Sequence, residues 1–228
     1  MSSTRLPGKV LKSILGRPML ARQIERILRS KNIDKLIVAT SVEKSDDRIE
    51  ALCKEIGISC YRGCLDDVLD RYYQASLQYK PDHVVRITGD CPLIDPELMD
   101  EVINFYFDGD YDYATNGLKP YTFPPGLDVE VFKSMHLKTA WKEAVAPAHR
   151  EHVTIFIYSN PEMFKIGYYK SKIDLSSLRW TVDRADDYEL VVRIYESLYP
   201  GNPEFTTQDI LNLLKKRPEL KAINTQSK

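Results

Sequence analysis

A short basic turn near the amino end of the sequence could hold a chain of phosphates. Residues 2–9 read SSTRLPGK, with Arg5 and Lys9 on either side of a Pro-Gly pair. Proline and glycine set a tight turn, backbone N–H groups can then point inward, and the two cations suit a polyanion. The segment differs from a P-loop, which ends in Gly-Lys-Ser/Thr after four intervening residues, and a plain surface turn is the alternative. We predict Ser3, Thr4, Arg5, Gly8 and Lys9 as nucleotide-binding residues, and Arg5 and Lys9 also as catalytic residues.

Two aspartates that are far apart in the chain could hold a divalent cation. Asp90 directly follows a predicted strand in the segment TGDCPLID, and Asp183 ends a second short apolar strand in RWTVDRADD. Ligands of open α/β sheets bind beyond the carboxyl ends of the strands, and carboxylates there can hold Mg²⁺ against phosphate oxygens. The neighbouring Asp95, Asp186 and Asp187 fit helix caps better. The sequence therefore predicts Mg²⁺ as the cofactor, with Asp90 and Asp183 as its ligands and as catalytic residues, and Asp90 also as a nucleotide-binding residue.

A third segment, YRGCLDDVLDR at 61–71, runs from a predicted strand end into a helix. Its arginines, Arg62 and Arg71, could read a base or contact phosphate, and we predict both as nucleotide-binding residues. The alternative is that Asp66 and Asp67 cap the helix while the arginines are solvated.

Polar residues in the middle of the chain could bind a second substrate. Asp128 and Glu130 share one face of a predicted strand, and Arg150 and His152 follow in HREHVT. Arginine suits bidentate binding of a carboxylate, whereas a lone histidine is more often structural. No Ser-His-Asp or Cys-His spacing favours a hydrolase. The predicted substrate-binding residues are Asn116, Asp128, Glu130, Arg150 and His152.

These segments are positioned by strands that alternate with helices. We predict strands at 35–41, 58–61, 83–88, 126–132 and 163–169, and helices at 18–30, 49–56, 66–79, 96–107, 134–145, 148–158, 186–198 and 207–216. Such alternation indicates parallel βαβ units with right-handed crossovers. We find no linker that would divide the 228 residues, so a single α/β domain over 1–228 is predicted.

Composition excludes several classes of protein. Thirty-two Lys and Arg residues balance 33 Asp and Glu residues, so net charge favours neither a nucleic-acid nor a membrane-surface partner. Apolar runs fall far short of the roughly 20 residues of a spanning helix. The four cysteines form no CxxC pair, which argues against zinc and is consistent with reduced thiols in the cytoplasm.

In their order along the chain, the segments resemble the cytidylyltransferases of surface-polysaccharide synthesis. The resemblance is greatest to the spore-coat polysaccharide group and more distant to CMP-Kdo and CMP-acylneuraminate synthetases. It rests on STRLPGK, GDCPLID, GLDVE, REHVT and LRWTVD, and covers nearly the whole sequence.

The resemblance implies a three-layer, Rossmann-like nucleotidyltransferase fold with a mixed, mostly parallel sheet. It implies a CMP-sugar synthetase, which transfers CMP from CTP to the anomeric hydroxyl of a sugar acid and releases pyrophosphate. Arg5 and Lys9 would hold the triphosphate, Asp90 and Asp183 magnesium, and Arg71 would lie near the cytosine. Residues 117–170 resemble the insertion used for substrate contact and for formation of a homodimer.

The sequence departs from this family at its start. Family members have a hydrophobic strand and then Ala-Arg before the position of Met1, whereas this sequence begins in the turn. We therefore expect the first strand of the fold to be missing from this sequence, and the native chain to start upstream, because the neighbouring strands would otherwise keep unpaired backbone groups.

Two other functions stay open at this point. A glycosyltransferase of similar architecture would use a ready-made nucleotide sugar, but its metal motif is typically Asp-x-Asp, whereas this strand end reads Gly89-Asp90-Cys91-Pro92. An inactive, dimeric member of the family is the other alternative. The identity of the sugar acid is not determined by the sequence.

Overall fold

The computed structural model describes Ser3 and residues 5–224. Strands and helices alternate through the first half of the chain, as the sequence predicts. The elements are β1 (Ser13–Ile14), β2 (Arg17–Pro18), α1 (Met19–Ile27), β3 (Ile37–Ser41), α2 (Asp47–Glu55), β4 (Ser59–Gly63), α3 (Val68–Tyr79), β5 (His83–Arg86) and α4 (Pro96–Asp108).

The second half is more irregular and contains shorter strands. Its elements are β6 (Tyr113–Thr115), β7 (Glu130–Lys133), α5 (Ser134–Glu143), α6 (Pro147–Glu151), α7 (Ile155–Tyr158), β8 (Ile166–Tyr168), α8 (Ala185–Leu198), α9 (Thr207–Lys216) and α10 (Glu219–Ala222). Within the residues described, every helix is too short or too polar to cross a bilayer.

The main strands form two separate sheets, of which the two-stranded one is parallel and the four-stranded one is mixed. β3 and β4 pair in parallel, with Val38 opposite Cys60. The other sheet has the order β5-β7-β6-β8. In it β7 is antiparallel to both β5 and β6, so that Phe132 lies opposite Val84 on one side and Tyr113 on the other. β6 and β8 pair in parallel, and the short β1 and β2 form a separate antiparallel pair.

The largest core lies where α4 and α8 pack with the four-stranded sheet. Its members include Met99, Val102, Tyr106, Trp180 and Val191, each at most 1% exposed. Burial of this apolar area stabilises the fold at roughly 25 cal/mol per Å² removed from water. The rigid core fixes the position of the loop that precedes α4, and that loop carries Asp90.

Helix α4 begins where the sequence predicts, because Asp95 caps it. The carboxylate Oδ1 of Asp95 accepts hydrogen bonds from the backbone N–H groups of Glu97 at 2.9 Å and Leu98 at 3.4 Å. Pro96 occupies the first turn, where it costs no hydrogen bond. The predicted capping role of Asp95 is thus confirmed.

Three predicted elements are wrong in detail. The apolar segment that ends at Asp183 forms no strand and runs as a loop. The helix predicted over 148–158 is divided into α6 and α7 near Val153, whose φ is +57°. Strand β7 begins only at Glu130, because Gly126, at a φ of +107°, turns the chain ahead of it.

Candidate active site

The side chain of Lys9 joins the two predicted metal ligands. Its Nζ donates to Asp90 Oδ2 at 2.9 Å, to Asp183 Oδ1 at 3.0 Å and to the carbonyl oxygen of Val182 at 2.7 Å. These partners are 81 and more residues away in sequence. The basic turn and both aspartates therefore meet in one place.

The conformation of Gly8 allows the basic turn to place Lys9 between the two aspartates. Gly8 has a φ of +68° and precedes a single 3₁₀ turn at Lys9–Leu11. This left-handed conformation favours glycine, because it places no Cβ against the following carbonyl. Arg5, from the same turn, reaches Asp183 Oδ1 with its Nη2 at 3.1 Å.

Asp90 is held against the loop of residues 179–183 by the backbone. Val182 donates its N–H to the carbonyl oxygen of Asp90 at 2.8 Å, and the Thr181 hydroxyl lies 3.4 Å from the same atom. The Thr88 hydroxyl donates to Asp90 Oδ1 at 2.6 Å. The loop takes the position that the sequence assigns to a strand, and it brings Asp183 to the carboxyl end of β5.

Asp183 is fixed by the start of α8. The carboxylate of Asp187 accepts hydrogen bonds from the backbone N–H groups of Asp183 and Arg184, each at 3.0 Å. Asp187 is 1% exposed and also accepts from Arg179 Nε at 3.2 Å. Its predicted role at the helix start is confirmed, and it orients the backbone from which the Asp183 side chain projects.

The electrostatics of the site favour the ionised forms of these groups. Burial opposes the charge of Lys9, but Asp90 and Asp183 outweigh it and raise the pKa of the ammonium. Burial would likewise raise the pKa of Asp183, yet Lys9, Arg179 and Arg5 together lower it. The neighbouring thiol of Cys91 is fully buried, and this raises its pKa well above the usual range, so Cys91 is a neutral neighbour.

The donor set fits Mg²⁺. Magnesium in phosphate-handling sites is typically bound through one or two carboxylates, with substrate phosphates and water completing the shell. Asp90 and Asp183 each have an oxygen within 3.0 Å of the same ammonium nitrogen, so both lie within reach of one cation. Over the described ranges, no group of three or more His, Cys, Asp or Glu side chains could hold a metal.

Other residues of the predicted nucleotide site have local partners. Ser3 accepts the Leu6 N–H through its hydroxyl at 3.4 Å, and Thr4 lies outside the described residues. Arg62 donates to the carbonyls of Ser41 and Glu43 and forms ion pairs with Asp47 and Glu50.

The aliphatic part of the Arg71 side chain packs against Gly63, the last residue of β4. A Cβ placed on Gly63 would lie only 2.9 Å from Arg71 Cγ, and Arg71 Nη1 donates to the carbonyl of Cys64 at 3.2 Å. Burial lowers the pKa of Arg71. Asp67 caps α3 by accepting the Asp70 N–H at 2.8 Å, as the alternative interpretation of this segment predicts.

The predicted substrate-binding residues fall into two groups. Asn116 is buried and bonds the backbone of Leu127 and Val129. Asp128 accepts the Gly126 N–H at 2.8 Å, and burial raises its pKa, with Asp90 among the charges that add to this effect. These two residues therefore support the loop beside Asp90.

The second group is Glu130, Arg150 and His152. Glu130 forms an ion pair with Arg86 and accepts from the hydroxyls of Tyr113 and Thr154. Arg150 donates its Nε to Asp67 at 2.9 Å and its Nη1 to the Trp141 carbonyl at 2.7 Å. His152 is exposed at the carboxyl end of α6.

A family model for cytidylyltransferases matches residues 1–206. The chain belongs to the cytidylyltransferase family. Membership makes it a nucleotidyltransferase.

One relative of this cytidylyltransferase matches nearly the whole chain, and another matches about half of it. The spore coat polysaccharide biosynthesis protein SpsF of Bacillus subtilis is 32% identical over 228 residues, covering 96% of this chain and 92% of its own. The 3-deoxy-manno-octulosonate cytidylyltransferase of Zea mays is 36% identical over 134 residues, which are 52% of this chain and 41% of that one.

Two solved structures show the fold. A cytidylyltransferase from Leptospira borgpetersenii superposes with a TM-score of 0.91 at 34% identity, covering 97% of this chain and 92% of that one. The CMP:2-keto-3-deoxy-manno-octonic acid synthetase complexed with CTP has a TM-score of 0.65 at 16% identity, over 86% and 94% of the two chains. The predicted α/β nucleotidyltransferase fold is confirmed.

Two residues of the candidate site were not predicted from the sequence. Arg179 donates to Asp183 Oδ2 at 2.7 Å and bonds Asp187 as well. Thr88 contacts Asp90. Both residues lie in segments that the sequence analysis selected. The i,i+4 spacing of Arg179 and Asp183 could have indicated their contact, but this spacing brings side chains together in a helix and not, in general, in a loop.

Proposed function

We propose that this cytidylyltransferase is a CMP-sugar synthetase that transfers CMP from CTP to the anomeric hydroxyl of a sugar acid. One observation carries the proposal: Lys9 bridges Asp90 and Asp183, with Arg5 beside them. Two carboxylates and two cations at a strand end suit a metal-bound triphosphate. Relatives named for spore-coat polysaccharide and for 3-deoxy-manno-octulosonate support a sugar acid as the acceptor.

In the proposed reaction, the anomeric hydroxyl attacks the α-phosphorus of CTP in line. The new O–P bond forms as the bond to the β-phosphate oxygen breaks, pyrophosphate leaves, and the hydroxyl proton passes to solvent or a nearby base. Arg5 and Lys9 neutralise charge on the departing pyrophosphate. Positioning and preorganised charge supply most of the rate in such transfers.

Asp90 and Asp183 would hold Mg²⁺, which when bound would lower the charge repulsion between the triphosphate and the incoming oxygen. The hydrogen bonds from Thr88 to Asp90 and from Arg179 to Asp183 fix both carboxylates before substrate arrives. Fixed ligands need little reorganisation during the reaction.

The experiment is a pyrophosphate-release assay with CTP, Mg²⁺ and a panel of eight-carbon and nine-carbon sugar acids. We expect release that needs both CTP and one acid, and a loss on the order of 10²–10³ in kcat for Asp90→Asn, comparable to loss of a preorganised charge contact. Asp108→Asn, an exposed change at the far end of α4, is the matched control. Near-normal activity of Asp90→Asn would remove Asp90 from the site.

Other outcomes separate the alternatives. Turnover of a ready-made nucleotide sugar without pyrophosphate release would indicate a glycosyltransferase, and no turnover with any acid would favour an inactive member.

Arg150 and His152 could bind the carboxylate of the acid only if Arg150 left Asp67 and contacted the substrate instead. The variant Arg150→Lys tests this role. We expect it to raise the KM for the acid and to leave the KM for CTP unchanged.

We further propose that the protein works as a homodimer in the cytoplasm, with residues 117–170 at the interface. The family resemblance supports the dimer, and the four free cysteines are consistent with a reducing compartment. Light scattering after size exclusion should give twice the mass of one chain.

A further inference from the structure

The loop that carries Asp183 is fixed by individual contacts and not by a strand ladder. The N–H groups of Trp180 and Thr181 both donate to the carbonyl oxygen of Pro125, at 2.7 and 2.9 Å. A loop has no neighbouring strand that would set its register, so each such contact helps to determine where the Asp183 carboxylate lies. The remaining contacts of the loop therefore bear on the candidate active site.

The buried carboxylate of Asp187 links this loop to α8. Its Oδ2 accepts the N–H groups of Asp183 and Arg184, each at 3.0 Å, and its Oδ1 accepts Arg179 Nε at 3.2 Å. Arg179 in turn donates its Nη2 to Asp183 Oδ2 at 2.7 Å. Asp187 is 1% exposed, and a buried charge is stable only where hydrogen bonds replace its water. A further donor to Asp187 would therefore act on both the backbone and the side chain of Asp183.

Asn224 is such a donor, and it comes from a distant part of the chain. Its Nδ2 donates to Asp187 Oδ1 at 3.0 Å and to the carbonyl oxygen of Arg179 at 2.9 Å. These partners are 37 and 45 residues away in sequence. Both partner atoms can only accept, so the nitrogen of the amide, and not its oxygen, belongs on this side. One amide group thus holds Arg179 by its backbone and Asp187 by its side chain.

Helix α10 places Asn224 at this point. Leu220 is 2% exposed and belongs to the same core as Trp180 and Val191, and α10 packs on α8 and α9. The helix is followed by Ile223, whose N–H donates to the Leu220 carbonyl at 3.3 Å. Asn224 itself is 8% exposed. Burial of an unpaired amide is unfavourable, so the amide and its two acceptors fix one another.

We propose that Asn224 is a positioning residue for Asp183 and acts through Arg179 and Asp187. Its amide keeps these two residues in the orientation in which they hold the backbone and the carboxylate of Asp183. The proposal rests on the proposed function, in which Asp90 and Asp183 hold Mg²⁺. Removal of a group that orients a metal ligand typically costs about 10–100-fold in metal affinity or activity, although the group touches neither metal nor substrate.

The test compares Asn224→Ala and Asn224→Asp with the parent and with a control, Thr206→Ala. The aspartate keeps the size of the side chain but at pH 7 sets a carboxylate against Asp187 and the Arg179 carbonyl. The control removes the hydroxyl that caps α9, where it accepts the Asp209 N–H at 3.4 Å. Because α9 packs on α10, the control measures the effect of a loss of stability in the same region.

Hydrogen exchange of the Asp183 and Arg184 amides is measured first, in the metal-free protein. Both amides donate to Asp187, so their exchange reports its orientation without any substrate. We expect exchange about 10-fold faster in Asn224→Ala, as for loss of one hydrogen bond to a charged group, faster still in Asn224→Asp, and unchanged in Thr206→Ala. Equal exchange in the parent and both Asn224 variants would overturn the proposal. A smaller effect of aspartate than of alanine would overturn it as well, because only side-chain volume would then matter.

Metal binding is measured second, as the Mn²⁺ affinity by electron paramagnetic resonance and as the Mg²⁺ dependence of pyrophosphate release. We expect Asn224→Ala to bind Mn²⁺ about 10-fold more weakly and to need more Mg²⁺, with an unchanged KM for the sugar acid. Thr206→Ala should match the parent. Faster exchange in Asn224→Ala with parent-like Mn²⁺ affinity and Mg²⁺ dependence would overturn the proposal.

Failure of the proposed function is seen separately, in the parent. It would appear as no pyrophosphate release with CTP and any sugar acid. The exchange rates and the Mn²⁺ affinity do not depend on turnover, so they would still decide whether Asn224 positions Asp183.

Discussion

Replacing Lys9 by methionine tests whether one ammonium group holds the site together. The change keeps the length and apolar stem of the side chain but removes its charge. Lys9 is 12% exposed, and its removal leaves Asp90 and Asp183, at 26% and 19%, without their shared partner. The two carboxylates would then repel each other at the end of β5.

The expected size of the effect follows from the contacts that are lost. Each charge-assisted hydrogen bond contributes about 1.5–3 kcal/mol, and breaking a buried pair costs about 3–5 kcal/mol. Partial exposure, and the remaining contacts of Asp183 with Arg5 and Arg179, reduce this cost. We expect a loss of about 2–3 kcal/mol in the free energy of unfolding, or a fall of about 4–12 °C in Tm.

The pH dependence gives a second check with a definite sign. The pKa of Asp183 is lowered in the folded protein, so its contribution is present above about pH 4 and is lost as pH falls through the folded value. The pKa of Lys9 is raised, so its contribution is present below about pH 10.4 and is lost as pH rises through the folded value. The deficit of Lys9→Met should therefore be largest between these limits and shrink at pH 3.

Urea unfolding at pH 7 and pH 3 measures the deficit directly. Lys142→Met, an exposed change on α5, is the control, and it should alter the free energy of unfolding by less than about 0.5 kcal/mol. A Lys9→Met protein as stable as the parent at pH 7, or equally weakened at both pH values, would refute the ion-pair account of the site.

Three further predictions concern the frame of the site. Glu130→Ala should cost about 3–5 kcal/mol in unfolding free energy, because it leaves the charge of Arg86 buried without its partner; a loss below 1 kcal/mol in urea unfolding would contradict this. Asp95→Ala should cost about 1–2 kcal/mol through loss of the α4 cap, and Asp95→Asn should recover part of the Tm. Gly126→Ala should lower both Tm and activity, since the new Cβ would meet the Thr181 backbone nitrogen at 2.3 Å and the φ is +107°; an unchanged kcat with CTP would show that the loop relaxes without moving Asp183.

Much of this architecture follows from local signals in the sequence. The α4 helix begins at Asp95-Pro96 for two reasons. Asp95 accepts hydrogen bonds from N–H groups of the first turn, and Pro96 has no N–H group that would need a partner there. Asp187 was assigned to a helix start by the same logic, and it caps α8. The alternation of strands and helices to α4 is local as well, because periodicity and breakers act over a few residues.

The sequence was less informative where long-range contacts decide. It predicted a strand up to Asp183. In the fold, however, the Val182 N–H donates to the Asp90 carbonyl and not to a neighbouring strand. It left Arg62 free to bind a nucleotide, whereas nearby carbonyls and two acids surround its guanidinium in the fold. The order of residues in the sequence does not show which groups an arginine will contact in the fold.

By itself, then, the sequence determined which residues could do the chemistry and in what order they occur, because residue type and spacing set charge, turns and caps. The tertiary structure decided that Lys9 would lie between Asp90 and Asp183, 81 and 174 residues away, and that β3 and β5 would line a common cavity. Both depend on how the packed core brings distant segments together, and that packing is a property of the whole chain rather than of any one segment.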